Sequence, residues 1–243
     1  MSITILQPIE KRPTKYRESA YTAIKEAILA GQLPPDRPLV EEHLASLLHI
    51  SRTPVREALA ILEHEGLIGP RGGRGLYVRP LTREEFVEMF VANEAVEPYL
   101  VRRAAHLATE DQLQVLGETV SRGKYYAAEG DLPRFLKAGR EFHRLVGVAA
   151  ENAPLTEFVV RNEEHTGLYL LSHGKAMTVE SMQVSNREHE AILNAIVRRD
   201  PDEAARLAVY HAQSLRERLA DLFSSPEEEW ADDWQIEQRE FGQ

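Results

Sequence analysis

Apolar residues near the start of the chain recur at helical spacing in three short segments. The first, residues 16–30, repeats apolar side chains at i, i+4, i+7 and i+8 from Ala20 onward and ends at Gly31. The second spans residues 40–48, and the third begins near residue 52. The predicted buried stripe of the third segment consists of Val55, Ala58, Leu59 and Leu62. The pattern therefore predicts three helices separated by short turns.

A short hairpin follows the third predicted helix. Residues 67–70 and 75–78 are short apolar runs that favour strands, and residues 71–74 lie between them. The paired glycines Gly72 and Gly73 permit the positive φ angles that a tight hairpin turn requires. We therefore expect two antiparallel strands joined at this tip.

Helical spacing continues through the remainder of the chain. Thr82 and Glu85 have the spacing of a capping box, which marks the start of a long helix. The candidate helices cover residues 83–107, 110–129, 132–149, 154–173, 179–199 and 201–223. Their predicted starts are marked by Thr82, Thr109, Asp131, Thr178 and Asp200. Six helices with short connections predict an antiparallel helical bundle.

The predicted fold class is therefore mainly α, with three regions along the chain. Residues 1–80 form an N-terminal domain with a leading arm, residues 82–223 an all-helical domain, and residues 224–243 a tail. The tail carries seven acidic residues from Pro226 onward, which favours a disordered acidic segment. Because Trp230 and Trp234 lie four residues apart there, docking onto a groove of the same or a partner subunit is the alternative.

Composition narrows the class of protein. The 243 residues are sufficient for two domains, and the absence of cysteine excludes disulfides, thiolate metal sites and cysteine nucleophiles. No run approaches the roughly 18 apolar residues that a membrane span needs. The first residues lack the basic and apolar regions of a signal peptide. We therefore expect a cytoplasmic protein with no membrane partner.

Charge is distributed unevenly along the chain. The formal net charge is −10, but residues 1–80 hold eleven Lys and Arg against nine Asp and Glu, and residues 81–243 hold eighteen against thirty. A near-neutral N-terminal part with clustered basic residues on an acidic body is typical of a protein that contacts polyanions at one end. The alternative is that both parts are only solvated surfaces.

The order of elements in residues 1–80 is that of a winged helix-turn-helix, whose second helix enters the DNA major groove. The residues at the start of that helix, which we expect to reach base edges, are Ser51, Arg52, Thr53 and Arg56. An arginine can bind guanine O6 and N7 together. Arg71 and Arg74, beside Gly72 and Gly73 at the hairpin tip, can approach phosphates or the minor groove. Double-stranded DNA is therefore the predicted partner.

These residues resemble the DNA-binding domain of the GntR family of bacterial transcription regulators. The resemblance rests on residues 39–45, 50–59, 62–68 and 73–78. The all-helical remainder resembles the FadR subfamily with its FCD effector domain. The resemblance implies DNA contacts by Ser51, Arg52, Thr53, Arg56, Gly72 and Gly73. It also implies a homodimer on a pseudo-palindromic operator and a small-molecule effector. Repression is the expected mode of regulation, and activation is the alternative that stays open.

Three histidines fall in the middle of three different predicted helices: His143, His189 and His211. Imidazole is a common ligand of zinc and nickel, and helical bundles build metal sites from facing helices. Spacing alone leaves open that the three are unrelated. The resemblance implies a metal, since many FCD domains bind one through an Asp and three His in these contexts. This chain departs from that pattern at Gly139, where the Asp is missing.

Other positions in the helical domain point to an effector pocket. Where the family often has an Arg before a Leu-Glu-Pro sequence, this chain has Asn93, which argues for a less acidic ligand. Gly139 and Gly147 share a helix face with His143, and they suggest either space for an effector or close helix packing. Arg161 and His165 lie on another helical stripe that can reach the pocket. Organic acids, sugar acids and acyl compounds are the expected effectors.

Alternative functions remain open at this point. A metal-free regulator that binds an acyl or other organic effector directly is one of them. A hydrolase with a metal on the three histidines is another, but it needs a general base, and we expect Glu188 and Glu190 to point to other helix faces. A helical ligand-binding or scaffold protein is the third.

Overall fold

The computed structural model describes residues 14–73, 75–174 and 177–219. The predictions for most of the N-terminal arm, for Arg74 and for the acidic tail lie outside the described residues. The chain divides into two compact units. The first contains the described residues up to Ile28 together with Leu33–Arg79, and the second contains Leu29–Gln32 and the described residues from Pro80 onward.

As far as its residues are described, the first unit contains three helices and a hairpin. They are α1 (Thr14–Leu29), α2 (Glu41–Leu48), α3 (Arg52–His64), β1 (Ile68–Pro70) and β2 (Leu76–Val78). The strands pair antiparallel, with Ile68 opposite Val78. Gly72 and Gly73 at the tip have φ angles of 55° and 65°, as the hairpin prediction requires.

The turn between α2 and α3 sets the start of the recognition helix. His49 ends α2 with a φ of 54°, and Ser51 occupies the N-cap position of α3 with extended backbone. The Ser51 side chain makes no capping hydrogen bond. A cap of this kind bonds the N–H of the second or third helical residue, and the third residue here is Pro54, which has no N–H. The hydroxyl of Ser51 is therefore not used to cap its own helix.

The core stripe predicted for α3 is confirmed. Val55, Ala58, Leu59 and Leu62 are all buried, with 1% exposure or less. Full burial of an aliphatic side chain contributes about 1.5–3 kcal/mol, so this stripe fixes which face of α3 points inward. The opposite face of α3 is left exposed.

Six helices make up the described part of the second unit. They are α4 (Arg83–Leu107), α5 (Glu110–Glu129), α6 (Leu132–Ala149), α7 (Ala153–Ser172), α8 (Val179–Val197) and α9 (Pro201–Arg218). The predicted caps are confirmed by their hydrogen bonds, and they are Thr82, Thr109, Asp131, Thr178 and Asp200. Among the described helices, none has the length and apolarity to cross a membrane.

Two apolar clusters fill the bundle. One contains Leu100, Leu116, Phe142 and Ile192, and the other contains Phe86, Phe135, Tyr169 and Leu215, each with further apolar neighbours. Helix α4 packs against α6, α7, α8 and α9 and therefore runs through the middle of the bundle. Polar side chains of α4 consequently face the interior.

Candidate functional site

The N-terminal end of α3 presents a polar, basic surface. Ser51, Arg52, Thr53 and Arg56 are all exposed, as predicted. The side chains of Arg52 and Arg56 are 58% and 65% accessible. Since the buried stripe lies on the other side of α3, these two guanidinium groups can contact a duplex without unfolding any part of the unit.

Both arginines donate hydrogen bonds to one carboxylate, which the sequence did not predict. Arg56 donates to Glu41 through Nε at 2.9 Å and through Nη2 at 3.0 Å, and Arg52 donates to the same carboxylate at 3.4 Å. Arg56 keeps the pKa of Glu41 below its usual range through this hydrogen bond. Bidentate pairing fixes the plane of a guanidinium group, so Glu41 orients Arg56 before any partner binds.

The hairpin tip places a second basic group in the same unit. Gly72 and Gly73 are exposed, and an added Cβ at either would meet no atom within 4 Å. The guanidinium carbon of Arg71 lies 5.9 Å from the ring centre of Tyr77. This hairpin can therefore approach a phosphate backbone closely.

The three predicted histidines come together inside the second unit. His143, His189 and His211 are each 7% exposed or less, and one ring nitrogen of each lies within 4.8 Å of the other two. The Nε2 atoms of His189 and His211 are 3.1 Å apart. Two nitrogens bound to one zinc ion are separated by about 3–3.4 Å, so the cluster fits a divalent metal. The residues present can thus hold the group that the resemblance implies.

Carboxylates contact the Nδ1 atoms of two of these three imidazoles. His211 Nδ1 lies 2.7 Å from Glu188, and His143 Nδ1 lies 3.4 Å from Glu97. Carboxylates on the far nitrogen of an imidazole fix its tautomer and orientation at metal sites. Glu188 points away from its neighbour His189 and reaches across to His211 of α9, a contact that the sequence did not predict.

Glu188 is itself held tightly. Arg218 donates to both of its oxygens, at 2.8 and 3.1 Å, and Ser214 donates at 2.8 Å. Burial alone would raise the pKa of Glu188, but these hydrogen bonds and that of His211 lower it to about 2. So acidic a carboxyl is a poor general base, and Glu190 is exposed. The hydrolase alternative consequently has no base at either position.

The electrostatics of the cluster favour a cation. Burial lowers the pKa of His143, but the carboxylates of Glu97 and Glu163 outweigh it and raise the pKa to about 9. Burial and the neighbouring His211 and His143 hold the pKa of His189 well below its ordinary value. One imidazole thus carries a positive charge between carboxylates, while His189 is neutral and offers a lone pair.

A cavity opens beside the histidines, with about 600 Å³ of empty space when the open solvent at its mouth is included. Its apolar wall contains Phe90, Phe135, Leu136, Leu170, Met177 and Leu215. Its polar wall contains Asn93, Glu97, Glu163 and the three histidines. Among the described lining residues none is Lys or Arg. The cavity therefore suits a ligand with one polar end and an apolar body.

The structure brings only some of the predicted effector residues to this cavity. Asn93 and Gly139 line it, whereas Gly147, Arg161 and His165 are absent from the described lining. Gly147 instead faces Thr156, and an added Cβ would lie 2.6 Å from Cγ2. For Gly147 close helix packing is therefore the explanation. Arg161 is exposed, and His165 lies on a different face of α7 from the lining residues Glu163, Thr166, Gly167 and Leu170.

Asn93 takes part in a hydrogen-bonded chain that the sequence did not predict. Asn162 donates to its side-chain oxygen at 2.9 Å, and Asn93 donates to Glu163 at 3.1 Å. Burial raises the pKa of Glu163. The sequence offered no sign of Glu163 or Glu97 as site residues, because each contact joins helices far apart in the chain.

Comparison with protein-family models gives two matches. The model described as bacterial regulatory proteins, gntR family, matches residues 16–78, and the FCD domain model matches residues 88–214. The GntR match covers all the elements from α1 to β2 except the start of α1. The FCD match covers the histidine cluster and the cavity lining apart from Leu215.

Individual relatives agree with these models. A probable D-xylose utilization operon transcriptional repressor of Paenarthrobacter nicotinovorans is 32% identical over 191 residues, which cover 76% of this chain and 80% of the relative. The HTH-type transcriptional repressor RspR of Escherichia coli K12 is 26% identical, over 84% of this chain and 89% of the repressor. The solved structure of E. coli McbR/YncC is similar in fold, with a TM-score of 0.76 at 19% identity, over 86% of this chain and 98% of that one.

Regulators of this family bind DNA operators, and FCD domains bind small-molecule effectors. The predicted fold class and the predicted resemblance are thereby confirmed, and the enzyme alternative is not supported by any of these matches. The chain belongs to the gntR family of bacterial regulatory proteins, with an FCD domain, and is a ligand-responsive DNA-binding transcription regulator rather than an enzyme.

Proposed function

We propose that this regulator is a repressor that binds a pseudo-palindromic operator as a homodimer in the bacterial cytoplasm, where the chromosome lies. The observation that carries the proposal is the exposed pair Arg52 and Arg56 at the start of α3, opposite a fully buried stripe. Repression is supported by the printed names of two relatives, each of which is called a repressor. The first unit is the proposed DNA-binding domain, and the second is the proposed effector-binding domain.

In this proposal the two parts of the first unit have different roles. The start of α3 reads base edges through Ser51, Arg52, Thr53 and Arg56. The hairpin tip contacts the sugar-phosphate backbone or the minor groove through Arg71, Gly72, Gly73 and Arg74. Base contacts give specificity, and backbone contacts give affinity that falls with salt.

The second unit holds the effector in the cavity and a divalent metal, zinc or nickel, on His143, His189 and His211. The donor set supports this, since three buried imidazoles converge and two of them are oriented by carboxylates. When bound, the metal supplies a Lewis acid to which an oxygen atom of the effector can coordinate. The apolar wall then receives the body of an organic acid, sugar acid or acyl compound.

Regulation follows from linkage between the two ligands. An effector changes operator affinity only to the extent that it binds the DNA-competent and DNA-incompetent forms of the dimer differently. By reciprocity, operator DNA changes effector affinity by the same factor. Titrating each ligand in the presence of the other measures that factor twice, and unequal factors contradict the linkage.

Selection of duplexes from a random library by the full chain tests the proposed function. We expect enrichment of one sequence with two-fold symmetry, and two chains bound per duplex by sedimentation. Half-sites one helical turn apart, or a multiple of this, are the expected spacing for a dimer of this motif. Enrichment of no sequence, or binding of a single chain to an asymmetric site, would overturn the proposal.

A further inference from the structure

We propose that Glu163 of α7 is the anionic ligand of the metal, so that the centre has three histidines and one glutamate. This inference rests on the metal centre of the proposed function. The carboxylate belongs to this cavity but to a different helix from any of the three histidines.

A divalent ion at this position needs an anion nearby. The three imidazoles are buried and can bind a metal only as neutral groups, so they cancel none of its charge. Burying an uncompensated charge is costly. Among the described residues around the cluster, the available anions are Glu97, Glu163 and Glu188.

Two of these three carboxylates are already committed. Glu188 bonds Nδ1 of His211 and the side chains of Arg218 and Ser214. It therefore stands behind its imidazole. Glu97 lies 3.4 Å from Nδ1 of His143 and has the corresponding place behind that ring. Glu188 therefore orients its imidazole, and Glu97, which also lines the cavity, is engaged by the ion pair with His143.

Glu163 has a different environment. The one hydrogen bond that the described residues give its carboxylate is from Asn93, to Oε1 at 3.1 Å. A carboxylate oxygen of Glu163, one of Glu97 and a ring nitrogen of His143 lie within 4.8 Å of one another. Glu163 also lines the cavity together with all three histidines. Among the described residues, the hydrogen bond to Glu163 thus comes from the neutral amide of Asn93, which holds this carboxylate beside His143, one of the three proposed ligands.

Residue 139 of α6 does not supply the anionic ligand. Gly139 lines the same cavity one helical turn before His143, and it contributes no side chain. An added Cβ at Gly139 would meet Cε1 of His189 at 3.7 Å, which is ordinary contact distance. A Cβ therefore fits at residue 139, and we expect a carboxylate placed there to approach the cluster from α6 instead of α7.

Zinc affinity of the purified full chain tests the assignment, measured by competition with a chromophoric chelator. We expect Glu163→Gln to weaken zinc binding by at least about 10–100-fold. That range is typical for mutation of a residue that only hydrogen-bonds a metal ligand, and a direct ligand should matter at least as much. Glu157→Gln is the matched control, since Glu157 is an exposed residue of the same helix. This control should bind zinc like the unmodified chain.

The double variant Gly139→Asp/Glu163→Gln supplies the rescue. It should recover most of the lost zinc affinity, because the carboxylate returns from α6. The Co²⁺ absorption spectrum gives a second readout, which should change in Glu163→Gln and not in Glu157→Gln. Thermal unfolding of the metal-free variants shows whether the fold is intact, and Glu163→Asp, which keeps the charge on a shorter side chain, should give an intermediate loss.

The outcomes separate this inference from the proposed function. If the unmodified chain binds zinc and Glu163→Gln binds it equally well, with an unchanged Co²⁺ spectrum, the assignment of Glu163 is wrong and the three-histidine centre stands. If the unmodified chain binds neither zinc nor nickel, the metal centre and this inference both fail. Neither result affects the assignment of the DNA-binding surface.

Discussion

At the scale of single residues, Glu41 shows what the sequence could and could not predict. Helical spacing placed Arg56 opposite the buried stripe of α3 and Arg52 at its margin, and both are exposed, because that deduction needs only the phase of one helix. The contact with Glu41 joins two helices across a turn, and no periodicity within either helix reveals it. Glu41 places a negative charge within the surface proposed to meet DNA.

Glu41→Gln is predicted to loosen the discrimination between DNA sequences. Without the carboxylate, the two guanidinium groups lose their fixed orientation, and a negative charge leaves the surface. Affinity for a shuffled duplex should therefore rise, and the ratio of operator to shuffled affinity should fall. Fluorescence anisotropy over a salt series measures both quantities. Glu42→Gln removes the same charge from an exposed neighbouring position of α2, and it should leave the ratio unchanged.

Glu188 is the second residue whose role depends on a contact between helices. Its place next to His189 suggested a different helix face, which is true of that pair, yet its side chain reaches His211 of α9. The three histidines themselves were predictable, since each lies in mid-helix and imidazole is a recognisable ligand. The carboxylates that orient them were not predictable from spacing.

Glu188→Gln is predicted to weaken zinc binding by about 10–100-fold, because His211 loses the carboxylate that orients it. The measurement is the same chelator competition on the full chain. Glu190→Gln, at an exposed position two residues away, should have no effect. Equal zinc affinities for the two variants would show that Glu188 has only a structural role with Arg218.

At the scale of elements, helix starts were predicted accurately where a capping residue marks them. Capping residues are short polar side chains with a fixed spacing, so the starts of α4, α5 and α9 agree with the sequence. Helix ends were less accurate. Helix α8 ends at Val197 rather than residue 199, because Arg199 takes a φ of 58° without the glycine that usually marks such an end.

Two glycines in neighbouring helices are predicted to respond oppositely to alanine. Gly147→Ala forces an added methyl group against Thr156 of α7, so it should lower the free energy of unfolding by about 1–3 kcal/mol. Gly117 of α5 has nothing within 4 Å of the added Cβ. There, alanine should raise the free energy of unfolding by up to about 1 kcal/mol through helix propensity. Urea denaturation of both variants measures the difference, and changes of the same sign would contradict the packing assignment.

At the scale of the whole molecule, the uneven charge directs DNA to one part of the chain. Residues 1–80 carry a formal charge of +2, and residues 81–243 carry −12. This asymmetry was visible in the sequence, and the family matches agree with it. The cavity and its ligand set were not visible, since they depend on how six helices pack around α4.

Removing metal is predicted to lower the stability of the full chain reversibly. A ligand that binds only the folded state adds about 2.7 kcal/mol when its concentration is 100 times its dissociation constant. Treatment with a chelator should therefore lower the unfolding temperature, and zinc should restore it. In His211→Ala zinc should no longer have this effect, and a zinc response equal to that of the unmodified chain would contradict the centre.

The most direct test of the account is the ratio of affinities for the selected operator and a shuffled duplex, measured for the unmodified chain and for Arg52→Ala/Arg56→Ala. Specific binding in such proteins exceeds non-specific binding by about 10³–10⁷. We predict a ratio in that range for the unmodified chain and a loss of most of it in the double variant, with the circular dichroism of the bundle unchanged. Arg206→Ala, an exposed arginine of α9, should keep the full ratio. A double variant that discriminates as well as the unmodified chain would contradict the central claim.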